Sequence, residues 1–84
     1  MEKGNISEDT MAQLETLSAR IVADSRDEEA LIERGRLLWA LGRRSEAIGD
    51  YLAAQRLNPS GKASQLLAAT YEILDFYNKD LYNP

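Results

Sequence analysis

The sequence predicts an all-α domain of about four helices laid out as antiparallel hairpins. Three observations predict it. Apolar residues recur at three- and four-residue spacing in the longer segments, as at Met11, Leu14, Leu17 and Ile21. No segment shows the strict alternation or β-branched density of a strand. Gly42 and Pro59 are the strong helix breakers of the central half, placed where short connections between helices would fall.

The first helix is expected from about residue 7 to 23. Ser7 is a suitable N-cap, and Glu8 and Asp9 put negative charge against the positive end of the helix dipole. Met11, Leu14, Leu17, Ile21 and Val22 form a narrow apolar stripe. "DSRDEE" breaks this pattern. Ser25 and Glu28 stand as S-x-x-E, a capping box in which each side chain bonds the other's backbone N–H. The second helix is expected over 27–41, stopped by Gly42 in the left-handed conformation.

The third helix, 45–57, starts near Ser45. It stops before Pro59, because Asn58 precedes proline and residues in that position avoid helical geometry. Ser60 can cap a fourth helix, 61–78, with Asp75 and Lys79 paired at i,i+4 near its end. Residues 79–84 read as a short tail.

Composition narrows the function. Eighty-four residues make one small domain, 1–84, in which a single core is marginal. With 44% apolar and 29% charged residues the chain belongs with globular proteins rather than disordered ones. Net charge is −4, and the ten Lys and Arg are dispersed, so no basic face for nucleic acid is expected. Cys and His are absent, which removes disulfides, thiolate chemistry and the usual general base and metal ligand. No cofactor or metal is expected. The polar N-terminus lacks the character of a signal peptide, and no apolar run approaches the about 18 residues of a membrane span. The expected location is cytoplasmic. The carboxylate pairs Asp27/Glu28, Glu28/Glu29 and Glu72/Asp75 converge on no base, nucleophile or phosphate loop, so enzymatic activity is not expected.

Between Glu28 and Gly61 small and large residues fall at telling intervals: Leu31, Gly35, Leu38, Ala47, Tyr51 and Pro59. Gly35 and Ala47 are small where two helices would cross, and Leu31, Leu38 and Tyr51 would fill the space around that crossing. This pattern resembles the tetratricopeptide repeat, a helix–turn–helix of about 34 residues with W-x2-L-G-x2-Y…A-x3-F…P. Leu31 and Leu38 replace the aromatics of the first helix, and Arg34 departs from the leucine slot. One such unit needs neighbours to bury its faces. The first and fourth helices would serve, with Leu17 in the aromatic slot of a degenerate preceding repeat and Ala69 near the glycine slot of a following one.

The resemblance implies a right-handed superhelical arrangement. It also implies that the second and fourth helices line a groove holding a peptide or helix of a partner protein. Ile32, Arg36 and Trp39, with Glu29 at the edge, are then the binding candidates. Arg suits a carboxylate and Trp offers a broad contact. Trp39 has a second reading, as core packed on the first or fourth helix. The fourth helix carries two stripes, Leu66, Thr70, Tyr71, Leu74 and Tyr77, and beside them Ala69, Ile73 and Phe76, more than one neighbour buries. Either the tail folds back over the surplus, or a second copy covers it through Ile73, Phe76, Tyr77, Leu81 and Tyr82. The expected function is a protein-interaction module; the alternative is a homo-oligomeric structural or adaptor unit.

Overall fold

A computed structural model describes the backbone of residues 8–82 and the side chains of residues 8–76. Four helices follow one another: α1 (Glu8–Ala23), α2 (Glu28–Ala40), α3 (Arg44–Leu57) and α4 (Lys62–Tyr82). No strand occurs among the described residues. Each helix packs on its neighbour in sequence, most extensively α2 on α3. The four helices spread into a slab of 44 × 40 × 15 Å.

α1 contributes little core. Leu17 alone is buried and Leu14 and Ile21 are half-buried, whereas Met11 is 41% and Val22 87% exposed, so the apolar stripe expected along α1 is used in part. The proposed cap Ser7 lies outside the described residues.

The start of α2 differs from the expected capping box. Asp27 is the N-cap, its Oδ1 accepting the Ala30 N–H at 3.1 Å. Arg20 at the end of α1 donates Nε and Nη2 to the same carboxylate, each at 3.1 Å. One side chain thus caps α2 and ties it to α1. Ser25 is exposed, and Glu28 instead accepts from Asn58 Nδ2 across the domain. α2 ends as the glycine requires. Gly42 has φ +83°, its N–H bonds the Trp39 carbonyl, and the Arg43 N–H reaches back to Leu38.

α3 begins at Arg44 without a side-chain cap, one residue ahead of the expected Ser45. α4 begins at Lys62. Ser60, the expected cap there, is exposed; Ser64 closes this corner, its hydroxyl donating to the Pro59 carbonyl and accepting from Gln55 Nε2 at 3.1 Å.

α2 and α3 meet at small residues. Gly35 is buried, and a Cβ there would stand 2.6 Å from Cε1 of the Tyr51 ring. Ala47 and Ala54 are fully enclosed and Leu38 is buried beside them. A core cluster of Leu31, Ile32, Ala54 and Ala63, flanked by Ile21, Leu57 and Leu66, draws on all four helices.

α4 is longer than expected. Residues 79–82, read from sequence as tail, continue the helix to Tyr82 and so do not fold back over it. With seven residues more than α3 and a short connection at their shared end, α4 runs about 10 Å past its partner. Ala63, Leu67 and Thr70 are buried and Leu74 is half-buried. Tyr71, placed in the expected packing stripe, is instead 48% exposed, because it lies one residue beyond Thr70 and so about 100° around the helix.

Candidate partner-binding surface

Glu29, Ile32 and Arg36 follow one another at i, i+3 and i+7 along α2. With Glu28, Glu33 and Lys62 they line a groove of about 300 Å³ between α2 and the start of α4. Ile32 is only 9% exposed and belongs to the core cluster, so it is the floor of this groove rather than a projecting contact. Glu29 is exposed on the rim, 3.6 Å from Arg20 Nη2. Arg36 is exposed and forms no ion pair among the described residues.

Trp39 is not brought to this groove. It is half-buried in the last turn of α2, where the Arg44 guanidinium lies 4.9 Å from its ring centroid. α4 enters opposite the first turns of α2, whereas the last turn of α2 adjoins the start of α3. The Arg44 stack holds the indole there by about 0.5–1 kcal/mol. Trp39 is therefore neither enclosed core nor groove wall.

The sequence reading missed a second groove, of about 590 Å³, between α1 and α2. Leu17, Leu37 and Ala40 form its apolar surface, with Arg20, Glu33 and Arg36 around them. Glu33 and Arg36 border both grooves, so they form the ridge between them. Arg20 is held by Asp27, whose hydrogen bond raises its pKa further above the ordinary value. That leaves Arg36 as the uncommitted cation of the ridge.

A third feature explains the departure at Arg34. Its Nε and Nη2 donate to the two oxygens of Asp50, each at 2.8 Å, and Nη1 donates to Ser18 Oγ at 3.1 Å. The Asp50 side chain is only 8% exposed and that of Arg34 25%. The hydrogen bonds that Arg34 donates to Asp50 outweigh desolvation and raise the Arg34 pKa. One guanidinium thus joins α1, α2 and α3. A signal was present: an arginine in an apolar slot and an aspartate beside Tyr51 both fall on faces expected to be buried.

Of the residues named for self-association, Ile73 is 42% and Phe76 70% exposed. The side chains of Tyr77, Leu81 and Tyr82 lie outside the described residues. No described helix is long and apolar enough to cross a membrane. Among the described residues no group of three or more His, Cys, Asp or Glu is placed to hold a metal ion.

No family model matches the chain, and neither a curated protein nor a solved structure matches it.

Proposed function

We propose that this protein is a non-enzymatic interaction module of tetratricopeptide type, binding a peptide or helix of a partner protein in the groove between α2 and α4. The observation that carries the reading is Arg36, an exposed cation with no ion pair among the described residues, standing beside Glu29 over the apolar floor of Ile32. Such a site anchors a carboxylate while an apolar side chain seats alongside it. The test is affinity capture from native extract. Wild type retains a heterologous protein, Arg36→Glu loses it, and Trp39→Ala retains it because Trp39 stands outside the groove. Equal retention by wild type and Arg36→Glu overturns the reading.

A second reading is a homo-oligomeric unit joined through α4, favoured by the exposure of Ile73 and Phe76. Sedimentation that stays monomeric at millimolar concentration removes it.

A further inference from the structure

The wider groove, about 590 Å³ between α1 and α2, has no part in the binding role proposed above. It shares Glu33 and Arg36 with the narrower groove of about 300 Å³. Seen down α2, Arg36 stands about 40°, Glu33 about 100° and Leu37 about 140° around from Ile32. Ile32 is the apolar floor on one side of this ridge, and Leu37 with Leu17 is the floor on the other. Five residues of rise and that rotation set the two floors about 13 Å apart, with Arg36 and Glu33 between them.

We infer that one extended segment of a partner protein crosses α2 between Arg36 and Glu33, seating an apolar side chain in each groove and carrying an Asp or Glu midway between them. The inference rests on the carboxylate-anchoring role proposed for Arg36, and adds the second groove and the sequence pattern of the partner. Spacing argues for an extended chain. Its alternate side chains face one way, and four residues of rise cover about 13 Å, so apolar residues at i and i+4 reach the two floors. A helix about 10 Å across, laid over the ridge, rests on Arg36 and Glu33 and misses at least one floor.

Charge argues for the middle residue. Arg20 is forked on Asp27, Glu29 lies 3.6 Å from Arg20, and Glu28 accepts from Asn58. Glu33, Arg36 and Lys62 are exposed and form no salt bridge or side-chain hydrogen bond among the described residues. Two of these three are cations. A carboxylate over the ridge takes the fork of Arg36, with Lys62 on the facing wall of the narrower groove. Glu33 accepts a backbone N–H, which an extended chain has to give and a helix spends internally.

The test uses three labelled peptides with blocked ends and the intact protein, read by fluorescence anisotropy. The first contains Leu-Ser-Glu-Ser-Leu. The second has lysine in place of the glutamate. The third keeps the glutamate and has one leucine replaced by alanine, made in both versions. The first is expected to bind about tenfold more tightly than the second and about tenfold more tightly than either version of the third. Ala40→Trp fills the wider groove from an exposed position, and Thr16→Trp does so from its α1 wall. Each is expected to bring the first peptide down to the level of the third and to leave the tighter version of the third unchanged. Circular dichroism checks the fold of both variants.

Equal binding of the first and third peptides, both weakened by Arg36→Glu, overturns the inference alone. So does first-peptide binding that neither tryptophan variant weakens, equal binding of the glutamate and lysine peptides, or a gain of helical circular dichroism by the first peptide on binding. Absence of peptide binding in a protein that still captures a partner through Arg36 also overturns the inference alone. Glutamate-peptide binding that Arg36→Glu leaves unchanged, or capture that does not depend on Arg36, overturns the groove reading and the inference with it.

Discussion

At the residue scale, close contacts make the sign of a substitution predictable. Gly35 and Gly49 are both interior glycines of helices. Gly35 faces the Tyr51 ring, whereas no atom lies within 4 Å of a Cβ built on Gly49. Gly35→Ala therefore gains about 1 kcal/mol of helix propensity but forces the aromatic ring to move, for a net loss of about 1–2 kcal/mol. Gly49→Ala has only the gain, about 0.8 kcal/mol. Urea unfolding of the two variants should move in opposite directions; movement in the same direction contradicts the contact.

Arg34 and Asp50 are as specific. Asp50→Ala strands a half-buried guanidinium and should cost about 3 kcal/mol, while replacing both with leucine should recover most of that loss. A thermal double-mutant cycle reads the coupling directly.

Tyr51 adds a pH dependence. Burial raises its pKa above the ordinary 10.0, and Asp50 adds to the effect while Arg36 opposes it. A raised folded pKa means that the folded state holds its proton longer than the unfolded chain does. The stabilisation is therefore complete below pH 10 and is lost as pH rises from the unfolded value through the folded one. Tyr51→Phe should lose less stability over that alkaline range, measured by denaturation at matched pH values.

At the element scale, helix ends are secured by side chains that also join elements. Asp27 caps α2 and receives the fork of Arg20 from α1. Asp27→Ala should cost about 1–2 kcal/mol, whereas Ser25→Ala should stay within about 0.5 kcal/mol of wild type. Comparable losses from the two substitutions would restore the capping box that the sequence suggests. The competition between Ser25 and Asp27 is decided outside α2, since only Asp27 lies where Arg20 clasps it. Gly42 has no such competitor. Its positive φ answers a purely local need, and it stops α2 where expected.

At the scale of the whole molecule, the helices form a wide, thin slab whose burial is uneven. A 15 Å thickness is about that of two helices laid face to face. α2 and α3 supply most of the core, α1 buries Leu17 alone among its side chains, and α4 extends beyond α3. Amide hydrogen exchange should follow that order. Protection should be greatest in α2 and α3, with earlier exchange in α1 and in α4 beyond Leu74. Uniform protection along the chain would mean that a further surface is buried in solution.

The sequence by itself determined the four helices, the small-against-large crossing of Gly35, Ala47 and Tyr51, and the glycine stop at Gly42. These depend on local periodicity, side-chain volume and backbone conformation, all of which are carried by residues close together in the chain. Ile32, Arg36 and Trp39, with Glu29 at the edge, were also legible as one face of α2. Only the tertiary structure decided that Ile32 is floor, that Trp39 sits under Arg44 outside the groove, and that Arg34 is satisfied by Asp50 sixteen residues away. It also decided that Thr70 and Leu74 of α4 are covered and Tyr71 is not. Each of these turns on where a neighbouring helix stops or how it is rotated, and helical spacing places residues on a face without saying what that face meets.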